Sequence, residues 1–94
     1  MLKIHDVKVG DIVALNDTVY NACSGIIAGS IETGDACLGG GECGSILVGA
    51  PVRIVAIADH RSGGKCDVFG EFKALVEAPS GLRTWASAWQ IVKS

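Results

Sequence analysis

With 94 residues, of which 49% are hydrophobic and 19% charged, the chain is long enough for one compact core and carries no boundary between two. Its formal charge of -2, with acids and bases interspersed, excludes the clustered Lys and Arg that a nucleic-acid backbone requires. No stretch approaches the ~18 apolar residues that span a bilayer, and Lys3, Asp6 and Lys8 interrupt the opening segment where a secretion signal would be apolar, so a soluble cytoplasmic protein with reduced cysteines is expected.

Leu2 and Ile4 suit either a short opening strand or a packing tail. Residues 9–15, V-G-D-I-V-A-L, are a clearer strand, entered through Gly10 and Asp11 and left through the turn formers Asn16 and Asp17. Residues 19–23 read as a short strand or loop. Residues 25–31, G-I-I-A-G-S-I, are strand-like with glycine on both sides of the apolar part, the mark of a bend or bulge. From 32 to 44 the composition changes: five glycines, three acids and two cysteines in thirteen positions predict an elaborated loop without a core. Residues 45–48 resume as a strand and lead into 51–58, P-V-R-I-V-A-I-A, the expected central strand.

Strand alternation puts Val52, Ile54, Ala56 and Ala58 on one face of that strand and Arg53, Val55 and Ile57 on the other. Past Arg53 both faces are apolar, so a second cover is required over Val55 and Ile57. A polar connection over 59–65 follows, then strands at 66–69 and 72–78. In the latter, Phe72, Ala74 and Val76 share a face, opposite Lys73 and Glu77. Pro79, Ser80 and Gly81 form the best turn in the chain and send 82–86 back antiparallel. A single 3₁₀ turn fits over 85–89, before Gln90, Ile91 and Val92 close the sheet. Nothing repeats, and no segment keeps helical periodicity.

The opening V-x-V-G-D-I-V-A-L and the closing hairpin A-L-V-E-A-P-S-G-L-R-T-W-A with S-A-W-Q-I-V, together about half the chain, resemble the SH3-like barrel superfamily. The resemblance implies a small antiparallel barrel whose last strand, after a 3₁₀ turn, pairs with the first. The tyrosine-rich A-L-Y-D-Y stretch and paired tryptophans of the peptide-binding members are missing, so polyproline recognition does not carry over, and no catalytic residue does either.

The four cysteines Cys23, Cys37, Cys43 and Cys66 lack the paired two-to-four-residue spacing of zinc sites, so no metal or other cofactor is expected. They are read as reduced thiols, with a Cys37–Cys43 disulfide across the glycine-rich loop as the alternative. G-G-G-E-C-G over 39–44 fits a dinucleotide fingerprint in letters only, because a strand rather than a helix follows it. Asp59, His60 and Arg61 with Asp67 form the one acid–base constellation, equally a polar turn. Trp85 is expected to point outward beside Arg83 as an interface anchor, or else to lie beneath the 32–44 loop.

The expectation is an all-β, single-domain (1–94) SH3-like antiparallel barrel with an elaborated Gly- and Cys-containing loop, acting as a non-catalytic interaction module. Its interaction residues are Val55, Ile57, Arg83 and Trp85, and its partner is a second copy in a homodimer or another protein. A small-molecule or metal-binding domain using the cysteine loop is the alternative, and a small enzyme using His60 the third.

Overall fold

The computed structural model describes residues 6–31, 36–59 and 72–93. Outside them lie Leu2, Ile4, His60, Arg61, Cys66 and Asp67, and with them the expected acid–base cluster and the strand at 66–69. Nine strands form among the described residues: β1 (Ile12–Leu15), β2 (Val19–Cys23), β3 (Ile26–Ala28), β4 (Cys37–Leu38), β5 (Cys43–Ile46), β6 (Val52–Asp59), β7 (Phe72–Glu77), β8 (Arg83–Ser87) and β9 (Ile91–Lys93). Seven of them make one antiparallel sheet in the order β5-β2-β8-β7-β6-β1-β9, strongly curled into a half-barrel, while β3 and β4 pair separately. None of the described residues forms a helix long and apolar enough to cross a membrane.

Local chemistry sets the ends of these strands. The Lys8 amide donates to Asp11 Oδ2 at 3.0 Å and closes the entry turn, whose Gly10 amide then donates to the Ile54 carbonyl at 2.8 Å. That turn ties the start of β1 to the middle of β6. At the other end, the Ala78 amide reaches the Leu82 carbonyl and the Gly81 amide the Ala78 carbonyl, so Pro79 and Ser80 form the tip of the β7–β8 hairpin. Gly81 has φ +95°, which an L side chain would resist. A turn over 88–90 follows β8, tightened by the Ser87 amide donating to Gln90 Oε1, and it delivers β9 antiparallel onto β1.

The main core fills the concave side. Phe72, Ala74 and Val76 of β7 are completely buried there with Ile54, Val52 and Val13, and Ala22, Ile46, Ala86 and Ile91 complete it from the neighbouring strands. With five aromatic residues in the chain, small and β-branched side chains do the filling.

β6 departs from simple alternation. Ile54 pairs with Val76, but the next partners are Ala56 with Leu75 and Ile57 with Ala74, so Val55 is an extra residue, a β-bulge. The bulge inverts the expected phase of everything after it. Ile57 packs against the main core, and Ala56 and Ala58 face outward with Leu75 and Lys73. The physical gain is a matter of size: the bulge sends the larger Ile57 to the core and leaves two alanines where the outer cover must approach closely.

The outer face has its own buried layer. Leu75 is fully buried and Ala58 and Ala36 nearly so, yet none belongs to the main core. Leu75→Ala is therefore expected to cost about 2–5 kcal/mol, as a core truncation does, although Leu75 lies on the convex side. Leu47→Ala, at 65% exposure, is expected to change stability by less than ~0.5 kcal/mol; denaturant unfolding of both variants checks the contrast.

Candidate functional site

The outer cover comes from the segment expected to be a coreless loop. Residues 24–31 and 36–42 leave the sheet between β2 and β5 as a finger carrying the β3–β4 pair, in which Ile26 meets Leu38 and Ala28 meets Cys37. Its foot is clamped by a disulfide between Cys23 and Cys43, directly opposite each other across β2 and β5. This corrects the expected reduced state of both residues, as well as the alternative pairing of Cys37 with Cys43. Strand register supplies the reason: β5 begins two residues earlier than its composition suggests and sets Cys43 against Cys23.

Three hydrogen bonds extend the clamp into the finger. The Ser24 amide donates to the Glu42 carbonyl at 2.8 Å, the Glu42 amide to Ser24 Oγ at 3.0 Å, and the Gly39 amide to the Gly25 carbonyl at 2.9 Å. The two legs of the finger touch here. A Cβ on Gly25 would stand 2.5 Å from the Gly39 carbonyl oxygen, so only glycine fits.

Further out, the finger meets the sheet at Trp85. Its indole Nε1 donates to the Ala36 carbonyl at 2.9 Å, and Lys73 Nζ sits 4.5 Å from the ring centroid. Trp85 is opposite Leu75 in the register, so the indole, with Lys73 over its ring, stands beside the buried Leu75 on the outer face. Of the two arrangements expected for Trp85, the one beneath the finger is found.

Beside this covered patch the outer face carries a charged row. Arg53, Glu77 and Arg83 are successive register partners on β6, β7 and β8. Glu77 Oε1 lies 3.4 Å from Arg53 Nη2 and Glu77 Oε2 lies 3.6 Å from Arg83 Nε, so one carboxylate serves two guanidiniums. The same row continues through Cys23 and Cys43 on one side and Ile12 on the other. Next to it opens a cleft of about 330 Å³ between the start of β6 and the β7–β8 turn, lined by Ile12, Pro51, Arg53, Glu77, Ala78 and Pro79. Ile12 is 56% exposed there.

The four sequence-predicted interaction residues are not brought together. Arg83 and Trp85 stand on the outer face, Val55 is half-buried at the bulge, and Ile57 lies on the inner face. The cleft residues Ile12, Pro51 and Pro79 escaped sequence reasoning. The signal for its charged wall was present, since a hairpin turning at Pro79 must set Glu77 against Arg83. Among the described residues no group of three or more His, Cys, Asp or Glu gathers as a metal site, and the disulfide takes Cys23 and Cys43 out of any thiolate set. Comparison of the chain with protein-family models, with curated proteins and with solved structures yields no match.

Because the disulfide closes a loop of sequence separation 20, replacing both Cys23 and Cys43 by Ser is expected to lower stability by about 3 kcal/mol. Denaturant unfolding without reductant measures it. An equal loss is expected when the unaltered protein is unfolded in the presence of a thiol.

Proposed function

We propose that the chain is a non-catalytic interaction module on an SH3-like barrel, and that it self-associates as a dimer through the cleft beside Arg53. The barrel reading is supported by strand order: β1 lies between β6 and β9, β6 to β8 form a meander, and a short turn precedes β9. β2 and β5 extend the sheet beyond these five strands, which on this reading are an elaboration of the barrel.

The observation that carries the binding reading is the cleft. An apolar floor of Ile12, Pro51 and Pro79, held open in the free chain beside an ordered ion pair, is the composition of a recognition surface rather than of a reactive site. Its prolines and strand residues are already fixed, so little conformational freedom is lost on binding.

A second copy suits this surface. Arg53 and Glu77 are adjacent, and a two-fold axis between two such pairs sets each arginine against the partner's glutamate, so the charged wall is self-complementary. Ile12 and Val92, both about half exposed on the outer side of β1 and β9, extend the apolar part of the patch. Arg83 joins the surface through Glu77, while Trp85 is engaged by the finger and adds to the interface only its rim.

The test is sedimentation at micromolar concentration. The unaltered protein is expected to sediment as a dimer, and Ile12→Asp to weaken association at least tenfold, about 1.4 kcal/mol, with the secondary-structure spectrum unchanged. A monomer throughout the concentration series would refute self-association.

A further inference from the structure

On the reading that the cleft is where copies meet, we infer that they recognise each other through a closed ring of alternating charges, Arg53 and Glu77 of one copy with the same two residues of its partner, and that this ring decides which surface is accepted. Apolar contact supplies the area, and the ring supplies the selection.

The ring starts from an ion pair that is not saturated. Arg53 Nη2 lies 3.4 Å from Glu77 Oε1, beyond the ~2.7–2.9 Å of a strong charge-assisted bond, and the Arg53 side chain is 58% exposed. Its guanidinium therefore keeps donors turned to solvent on the wall of the cleft. A carboxylate likewise has room for several hydrogen bonds, and Glu77 uses its two oxygens on contacts of 3.4 and 3.6 Å. Each member of the pair can take a further partner without letting go of the other.

Glu77 is also anchored from behind. Arg83 Nε is buried, meets no hydrogen-bond acceptor among the described residues, and has Glu77 Oε2 at 3.6 Å as the charge that balances it. Withdrawing the carboxylate would leave that buried nitrogen uncompensated, and removing one partner of a buried pair is costly. Glu77 therefore stays in place when a second copy arrives, so the two ion pairs join rather than exchange.

The order of charges fixes the register. Across β6, β7 and β8 the row reads positive, negative, positive. A two-fold axis through Glu77 would set the two carboxylates against each other and each Arg53 against the partner's Arg83, so like meets like at every position. An axis between Arg53 and Glu77 brings opposite charges together instead, and the pairs already formed within each chain close the ring. An axis between Glu77 and Arg83 would alternate as well, but Arg83 is the less exposed arginine, at 32% against 58%, and Trp85 further along β8 is engaged with Ala36. The exposed end of the row is the one that meets a partner.

Ile12, Pro51 and Pro79 suit many apolar surfaces, whereas the ring accepts only a surface with the same order of charge. A second copy meets that condition by symmetry.

Arg53→Glu and Glu77→Arg are prepared separately and then mixed, and native mass spectrometry separates the mixed dimer from the two homodimers by mass. Each variant alone places like charges across the axis and is expected to associate at least ~tenfold more weakly than the unaltered protein, while the mixture recovers association as the mixed dimer. Single variants that dimerise as well as the unaltered protein would overturn the ring and leave the cleft reading intact; an unaltered protein that is monomeric overturns both. A mixture that stays monomeric, although both variants keep the strand spectrum of the unaltered protein, would also overturn the ring. Salt gives a reading that holds even if Glu77→Arg does not fold. The unaltered dimer is expected to weaken several-fold as sodium chloride rises from ~0.05 to ~0.5 M, and Arg53→Gln to lose most of that dependence. An equal salt dependence in Arg53→Gln would overturn the ring.

Discussion

The Cys23–Cys43 bond is the constraint on which the outer half of this structure depends. It lies where β2 hands the chain to the finger and β5 takes it back, so it fixes both legs at one point. The strand it carries out from the sheet, with Ile26, Ile27 and Ala28 exposed, adds little apolar burial of its own. Further out, the Ala36 carbonyl lies within reach of Trp85 Nε1, and Leu75 is buried on the convex side of the half-barrel.

The bulge at Val55 is the complementary device inside the sheet. A regular β6 would aim Ala56 and Ala58 at the core and Ile57 at the finger, leaving the core under-filled and the cover held away from the sheet. One extra residue reverses both defects. The same strand then presents Arg53 before the bulge to Glu77 and, through it, to Arg83, so a row of charge borders the covered patch and separates it from the cleft at Ile12. Two outer surfaces of different character result: one apolar and sealed by the finger, one open and flanked by an ion pair.

Much of the sheet was legible in the residues because it rests on local rules. The turn at Pro79 to Gly81, the entry at Gly10 and Asp11 and the alternation of Phe72, Ala74 and Val76 each follow from short-range sterics and period-two burial; β7 and β8 stand within a residue of expectation, while β1 begins three residues later than the expected 9–15 because the entry turn takes up its start. What was not legible depends on register and on distant parts of the chain. In P-V-R-I-V-A-I-A both phases of alternation are apolar, so nothing local marks Val55 as the extra residue, and the faces of Ile57 and Ala56 came out exchanged. The disulfide was hidden for the same reason: Cys23 and Cys43 become neighbours only once β2 and β5 are paired. Trp89 is half-exposed because the turn over 88–90 carries it outward past Ala88. The candidate site suffered most, since Ile12, Pro51 and Pro79 are unremarkable in sequence and gain meaning only when the β7–β8 turn curls beside the first strand.

The account stands or falls on which cysteines are joined at the foot of the finger, and peptide mapping of the unreduced protein reads this directly. Cleavage after glutamate and after lysine and arginine places Cys23 in residues 9–32, Cys37 in 33–42, Cys43 in 43–53 and Cys66 in 66–71, so all four fall in separate peptides. The account predicts a linked pair of 9–32 with 43–53 that separates on reduction. Linkage of 33–42 with 43–53 would contradict it, because a bond confined to the finger does not join β2 to β5 at its foot.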